Sequence, residues 1–368
     1  MKIGIITWFR TGNYGTNIQA IALYNYLSRK HEVAFISYFD YTKLFSKNLK
    51  TRILYKIRVF IRYLLKPFLY YKRIFGCNNL QKGLKIQKFF RKLKIIEVIS
   101  WKSLESFDSY ITGSDQIWNP YYIRPFYMLD FVPDNIPRFS YSSSMGVDSI
   151  PIEKEEIYIK NLSKFKNIAV REKTGELLLK NLLQRNDVRT VMDPVFLLTN
   201  SEWMNLIHTR TINEKYIFCY FVGSRIDNSE AINHIRNITG VKKIIYVPSQ
   251  EYPKIKLDGF CDKAAGNDEF LSYIANASLI CTDSFHATAL SLIFNRQFIE
   301  FKRFAEDDKK SQNSRITDLL AEYGLSSRIY NDNFNFSPID YSLINEKLKN
   351  QIDDSKKYLE QILTGGIL

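Results

Sequence analysis

Cysteine is scarce. Cys77, Cys219, Cys261 and Cys281 are the four in 368 residues, and no two form a CxxC pair. That argues against a zinc site or a redox motif. It excludes a disulfide-stapled miniprotein and makes a reducing, cytosolic setting the simpler reading. Long apolar runs are also missing: none reaches the roughly 18 to 20 residues that span a bilayer. The N-terminal MKIGIITWFRTGNYG has too short an apolar run for a signal peptide and a Gly-rich turn where a cleavage site would stand. The chain is therefore expected to stay in the cytoplasm. Histidine is rare, with four residues, so few side chains suit proton transfer near neutral pH. GxGxxG, internal repeats and nucleic-acid-binding motifs are all absent. What is there looks ordinary: 45% apolar and 24% charged residues fit a soluble globular protein and exclude global disorder. At about 150 residues per domain the length predicts two domains, or three.

The most informative gap is one of negative charge. The net charge is +14, from 52 basic and 38 acidic residues. Lys43 to Lys94 holds 16 Lys and Arg and no Asp or Glu, so the rest of the chain carries 36 basic against 38 acidic residues. The basicity is one segment. Within it Ile53, Leu54, Ile57, Phe60, Ile61, Leu64, Leu65 and Phe68 recur every three or four residues, the period of one helix face. Arg52, Lys56, Arg58, Arg62 and Lys66 fall mostly on the other side, and Pro67 marks a break or kink. A basic amphipathic helix with aromatics suits an anionic membrane surface, with Arg52, Lys56, Phe60 and Arg62 as the contacts. The alternative is a core-packed helix with a solvated basic face. Bulky aliphatics beside the charge argue against nucleic acid.

Strand and helix alternate along the chain. Lys2 to Thr7 reads as a buried strand, followed by the turn TGNYGTN and a helix from Ile18 to Arg29. That is the opening of a Rossmann-like unit, whose helix start suits an anion. Further strands are expected at 32–38, 109–112, 139–143, 168–170 and 190–192. After Asn200 the pattern restarts, with strands at 216–222, 243–247, 279–282 and 297–301. Helices are expected at 228–238, 268–276, 287–294, 315–323 and 340–363. Such alternation predicts α/β halves with largely parallel sheets. The arrangement is GT-B-like: two Rossmann-like domains, 1–200 with a basic helical insert at about 43–94, and 201–368 with a terminal helix, with a cleft between them.

Polar loops after strands mark where open α/β sheets bind ligands. Among the histidines, His31 ends a helix, His208 lies between the halves and His234 sits on an ordinary helix. His286 alone follows a buried-looking strand and opens a helix, so it is the candidate acid/base, with Asp283 and Ser284 beside it to orient the ring or bind substrate. Arg171 sits at the same edge of the first half, where an arginine can clamp a phosphate or carboxylate. Lys302, Arg303 and Arg315 are cations at the edge of the second sheet. Several cations converging on a cleft suggest a small polyanion. Asn13, Ser114, Asp115, Gln116, Asn119 and Ser143 stand in the loops of the first half.

Seven segments together resemble the polysaccharide pyruvyl transferase family: GNYGTNIQAIAL, FDSYITGSDQIWNP, YSSSMG, AVREKTG, MDPVFLL, TDSFHATALSL and SRITDLL. They span most of the chain outside the basic insert. The resemblance implies a GT-B-like fold and transfer of pyruvate from phosphoenolpyruvate to two hydroxyls of one sugar, forming a ketal and releasing phosphate. The family serves bacterial capsule, exopolysaccharide and cell-wall glycans, and some eukaryotic N-glycans. It implies a general acid/base and cations, with no metal and no cofactor beyond phosphoenolpyruvate as co-substrate. By position His286 matches the family's catalytic histidine, and Arg171 the arginine of its V-R-[DE] loop, a donor-binding candidate. Lys302 or Arg303 matches a basic residue that holds the donor. Two departures stand out. Many members have arginine where this chain has Ser284, so a donor contact must come from elsewhere, as from Arg303 or Arg315. Many have aspartate where this chain has Thr16.

The expected partners are phosphoenolpyruvate, a sugar acceptor still attached to polyprenyl diphosphate, and the inner face of the cytoplasmic membrane; nucleic acid is not expected. A 4,6-ketal on galactose is the form expected. Two other readings fit the same residues: a nucleotide-sugar glycosyltransferase on the same fold, and a non-catalytic membrane-peripheral scaffold of glycan assembly.

Overall fold

The computed structural model describes residues 1–37, 79–97, 107–209, 212–223, 227–304, 314–331 and 333–365, with single helical positions at 50, 53, 54, 57 and 61. Its first sheet contains β1 (Lys2–Ile6), β2 (Glu32–Ser37), β3 (Ile95–Glu97), β4 (Ser109–Thr112) and β5 (Arg138–Ser140). A short pair, β6 (Ala169–Val170) and β7 (Arg189–Thr190), extends this half. The second sheet contains β8 (Tyr216–Tyr220), β9 (Lys243–Tyr246), β10 (Phe260–Cys261), β11 (Leu279–Thr282) and β12 (Phe298–Glu300). The spatial orders are β3-β2-β1-β4-β5 and β10-β9-β8-β11-β12, and the pairings in both are parallel. The halves thus repeat one Rossmann-like topology without a detectable sequence repeat. The central strands β4, β8 and β11 are buried at every position. That fits the absence of a regular polar–apolar alternation in them.

The helices whose ranges are described are α1 (Tyr14–Leu27), α2 (Leu80–Phe90), α3 (Ile152–Leu162), α4 (Lys173–Leu183), α5 (Asn200–Asn205), α6 (Ser229–Thr239), α7 (Asn267–Asn276), α8 (Phe285–Ile293), α9 (Ser314–Glu322) and α10 (Tyr341–Thr364). Helix α1 begins earlier than its apolar period suggests. Asn13 caps it by accepting from Thr16 N at 3.3 Å, so the polar turn residues join the helix. Nearly all of α1 is buried because it lies at the seam of the halves. Tyr14 stacks on Phe270 of α7 at 4.4 Å and donates to Ala265 O at 2.8 Å. Helix α10 returns to the first half. Ser355 Oγ accepts from Met192 N at 3.0 Å, and Glu360 accepts from Lys30 at 2.9 Å. Strands β3 and β10 are short and were not legible as strands in the sequence.

Part of the basic insert packs on the protein. Helix α2 buries Ile86 and Phe90 in the core, and Lys85 pairs with Glu269. Another part does not: Ile53, Leu54, Ile57 and Ile61 are helical and 46–56% exposed. The candidate membrane contacts Arg52, Lys56, Phe60 and Arg62 lie outside the described residues. Among the described residues no helix is long and apolar enough to cross a membrane.

Candidate active site

Parallel strands send all their carboxyl ends to one edge of a sheet, so the loops that follow them gather there. Here the two loop-bearing edges enclose a cavity of about 1200 Å³. Asn13, Thr16, Asp115 and Gln116 line it from the first half; Asp283, Ser284, His286, Arg303 and Arg315 line it from the second.

The first-half wall is fixed by its own hydrogen bonds. Thr16 Oγ donates to Asp115 Oδ2 at 2.6 Å, so the threonine at the position of the family's aspartate holds an acid rather than being one. Asp115 has a left-handed backbone, φ 66°, and its Oδ1 accepts from Gln116 N at 2.8 Å. The preceding Gly113 is required: a Cβ there would lie 2.0 Å from Tyr141 O. Ser114, Asn119 and Ser143 are fully buried and lie outside the cavity lining. Ser114 N donates to Gln19 Oε1 at 3.1 Å, Asn119 Oδ1 accepts from Tyr121 N at 3.0 Å, and Ser143 Oγ donates to Thr112 O at 3.3 Å. These three shape the loops from behind.

His286 stands in the first turn of α8, 8% exposed. Its Nε2 lies 3.7 Å from Asp193 Oδ2, too long for a hydrogen bond but close enough for the carboxylate's field to act on the ring. Asp193 follows β7 and is buried. It accepts from Arg171 Nη1 at 3.0 Å, from Ser114 Oγ at 2.9 Å and from Val195 N at 3.0 Å. Burial alone would raise its pKa, but His286, Arg171 and these donors outweigh it and hold the carboxyl well below the usual range. Asp193 therefore stays ionised beside the His286 ring. On the opposite side of the ring the start of α1 presses in: a Cβ on Gly15 would lie 2.2 Å from His286 Nδ1. The ring is thus wedged between Gly15 and Asp193.

Arg171 does not line the large cavity. Its side chain is 3% exposed, ion-paired with Glu172 at 3.0 Å and Asp193 at 3.0 Å, and lies over the Phe285 ring at 4.6 Å. Desolvation opposes its charge, yet the two carboxylates more than compensate and keep it firmly protonated. It borders a second cavity of about 620 Å³ on the other side of Phe285 and Arg315.

The cations of the second half separate clearly. Arg303 lines the cavity while Lys302 is exposed and outside the lining. Arg315 lines both cavities. Its pKa is pushed down to about 9 by desolvation and then by the Arg171 and Arg303 guanidiniums, against Glu172 and Asp115. An arginine does not give up its proton in practice, so this measures a field that an incoming anion would relieve. Ser284 caps α8 without a side-chain hydrogen bond to it, leaving the helix start, with its positive dipole end, turned to the cavity. Asp283 does not orient the histidine. Its two oxygens accept from Val222 N at 2.6 Å and Gly223 N at 2.8 Å, tying β11 to the end of β8, and burial pushes its carboxyl up.

Sequence reading did not single out two residues at the centre of this site. Asp193 sits in MDPVFLL, where the aspartate looks like a cap for the short turn Pro194–Leu197 and does serve as one. Gly15 looks like a turn glycine. The signal available for Asp193 was its position, directly after a strand. Among the described residues no group of three or more His, Cys, Asp and Glu is arranged to hold a metal ion.

A family model described as polysaccharide pyruvyl transferase matches residues 13–301. No curated protein sequence matches the chain. Among solved structures, UDP-GlcNAc 2-epimerase from Neisseria meningitidis bound to UDP-GlcNAc is similar at a TM-score of 0.50 and 10% identity, over 100% of both chains. UDP-GlcNAc 2-epimerase from Methanocaldococcus jannaschii has a TM-score of 0.47 and 14% identity, over 100% of both chains. At such identities a structural match speaks to fold alone. Together with the two repeated sheets, the Neisseria match makes the fold GT-B-like.

Proposed function

The chain belongs to the polysaccharide pyruvyl transferase family, and we propose that it moves pyruvate from phosphoenolpyruvate onto two hydroxyls of one hexose in a bacterial surface polysaccharide, forming a ketal and releasing phosphate. The observation that carries this reading is the meeting, in one cavity, of a histidine held beside an ionised aspartate with Arg303, Arg315 and the start of α8. The donor brings a carboxylate and a phosphate. The two arginines and the helix start supply charge-assisted partners for both.

In this mechanism His286 delivers a proton to C3 of the donor, turning the methylene into a methyl and leaving C2 electron-poor. One sugar hydroxyl adds to C2. The C2–O bond to phosphate breaks, and the second hydroxyl closes the ring at C2. Of the two hydroxyl protons, one ends up on C3 by way of the imidazole and the other leaves with phosphate. Asp193 does not touch substrate. It is a positioning residue that stands beside the imidazole and helps fix its place. Galactose modified at its 4- and 6-hydroxyls is the proposed acceptor, presented on polyprenyl diphosphate. The exposed helical residues Ile53, Leu54, Ile57 and Ile61, within a segment free of acidic residues, support a station on the inner face of the membrane. Replacing Ile57 and Ile61 by Asp should abolish binding to phosphatidylglycerol vesicles. Unchanged binding would remove the membrane from the proposal.

The donor is tested by calorimetry with phosphoenolpyruvate, UDP-galactose and GDP-mannose on wild type, Arg303→Ala and Arg315→Ala. Phosphoenolpyruvate should bind, tenfold or more weaker in each variant. Binding of a nucleotide sugar without phosphoenolpyruvate would make the protein a glycosyltransferase and end the ketal mechanism. His286→Ala should lower turnover about a hundredfold or more, a change that a scaffold would not register.

A further inference from the structure

The cavity is larger than its proposed donor requires. Pockets for drug-sized ligands measure about 300–1,000 Å³, and a three-carbon phosphate ester needs less, yet this cavity measures about 1200 Å³. Its first-half wall beyond Asp115 carries aromatic side chains. Tyr121 and Tyr122 both line the cavity and are 65% and 58% exposed. Trp8 and Tyr127 line it too, meeting edge to face at 6.1 Å.

Exposed tyrosines on a loose loop would mean little. These two sit on an anchored turn. Asn119, fully buried, accepts from Tyr121 N through its side chain at 3.0 Å and from Tyr122 N through its carbonyl at 3.0 Å. The buried Trp118 before the turn donates its indole N–H to Tyr127 O at 3.0 Å, closing the loop at its far end. A rigid base holding two large rings towards solvent leaves apolar area uncovered at a fixed place, which marks a contact surface. The rings offer flat apolar faces with hydroxyls at their edges. A pyranose is the complement: it presents apolar C–H faces and hydroxyl edges. The remaining lining mixes signs, with Asp115, Glu251 and Asp283 against Arg124, Arg303 and Arg315. With Arg303 and Arg315 assigned to the donor, the rest of this mix, three carboxylates against Arg124, suits a neutral polyhydroxyl chain better than a nucleic acid.

We propose that Tyr121 and Tyr122 form a stacking platform for sugar units neighbouring the one that is modified, so that the protein takes an oligosaccharide rather than a free hexose. This rests on the pyruvyl-transfer reading for the identity of the modified unit, but the platform itself is tested apart from it.

The test is calorimetry with monosaccharides and β-linked tetrasaccharides of galactose, glucose and mannose, with phosphoenolpyruvate titrated separately. In wild type at least one tetrasaccharide should bind tenfold or more tighter than its monosaccharide. Tyr121→Ala/Tyr122→Ala should erase that gain, roughly the loss expected when aromatic faces are removed, and leave phosphoenolpyruvate affinity within about twofold. Tyr121→Phe/Tyr122→Phe should retain most of the gain, because stacking needs the face rather than the hydroxyl. A double alanine variant that keeps full tetrasaccharide affinity, or a wild type that prefers no tetrasaccharide, overturns the platform. A wild type that shows the chain-length effect but ignores phosphoenolpyruvate would overturn the donor assignment and leave the platform standing.

Discussion

Replacing Gly15 by alanine should disable this protein without unfolding it. Alanine is the better helix former by about 1 kcal/mol, and Gly15 lies inside α1 with no left-handed backbone to lose. The new Cβ, however, would lie 2.2 Å from His286 Nδ1, 2.7 Å from Cγ and 3.0 Å from Cβ. Ordinary contact begins at 3.4 Å, so the imidazole must retreat by about 1.2 Å. The retreat is blocked behind by Asp193 at 3.7 Å and by the packed start of α8, so the ring leaves its position between the halves. A misplacement of about 1 Å at a reacting group lowers rate about a hundredfold, equivalent to about 2.7 kcal/mol of barrier. The assay is phosphate release from phosphoenolpyruvate with the best tetrasaccharide as acceptor, beside calorimetry of the donor. We expect turnover to fall about a hundredfold while donor affinity stays within about threefold, since Arg303 and Arg315 sit on other elements. Gly175→Ala is the control. It too stands in a first helical turn, but its Cβ would meet neighbours at 3.8 Å, and it should behave as wild type. Turnover within threefold of wild type in Gly15→Ala would refute the claim that the position of His286 controls the reaction.

Further outcomes follow from the buried charges. Asp193→Asn should cut turnover by about a hundredfold while phosphoenolpyruvate affinity stays within about threefold, because the carboxylate positions the ring and lies outside the donor's cavity; turnover within threefold of wild type would separate Asp193 from the histidine. The same change bears on stability. The wild-type carboxyl is held low, so its contribution is present above the unfolded value of about 4 and lost as pH falls. Urea titrations of Asp193→Asn should therefore show a weaker acid dependence than those of wild type. Glu300 is the opposite case. Burial, with Asp283 adding, pushes its carboxyl up against the Thr288 hydrogen bond, so its contribution is present below about 4.5 and is lost as pH rises. Glu300→Gln should gain about 1 kcal/mol or more over wild type at pH 8 and much less at pH 5, and a pH-independent difference would contradict this. Arg315→Gln should melt no lower than wild type without ligand, because desolvation and two neighbouring guanidiniums oppose the native charge, while phosphate and phosphoenolpyruvate stabilise it less in thermal shift.

Much of this architecture was legible because local chemistry dictates it. Buried parallel strands are short and mostly apolar without alternation, and polar loops follow them, so KIGII, SYIT, YIFCY and LICT were readable as strands. The terminal helix was expected at 340–363 and runs Tyr341–Thr364. Strands β3 and β10, three and two residues long, gave no such pattern, because they exist only by pairing with a longer neighbour. His286 was readable as the candidate acid/base from its place at a strand end. What the ring touches was not. Asp283, three residues away in sequence, looked like its partner, yet that carboxyl is consumed by the backbone of Val222 and Gly223. The actual neighbours, Gly15 and Asp193, come from positions about 270 and 93 residues earlier in the chain. The choice between Lys302 and Arg303 was equally closed to sequence, since adjacent residues after a strand differ only in which side they face. Sequence by itself determined the strand and helix alternation, the basic insert and the family of loops. The tertiary structure decided which loops meet, because a contact between distant segments depends on how two sheets are set edge to edge, and no local pattern encodes that.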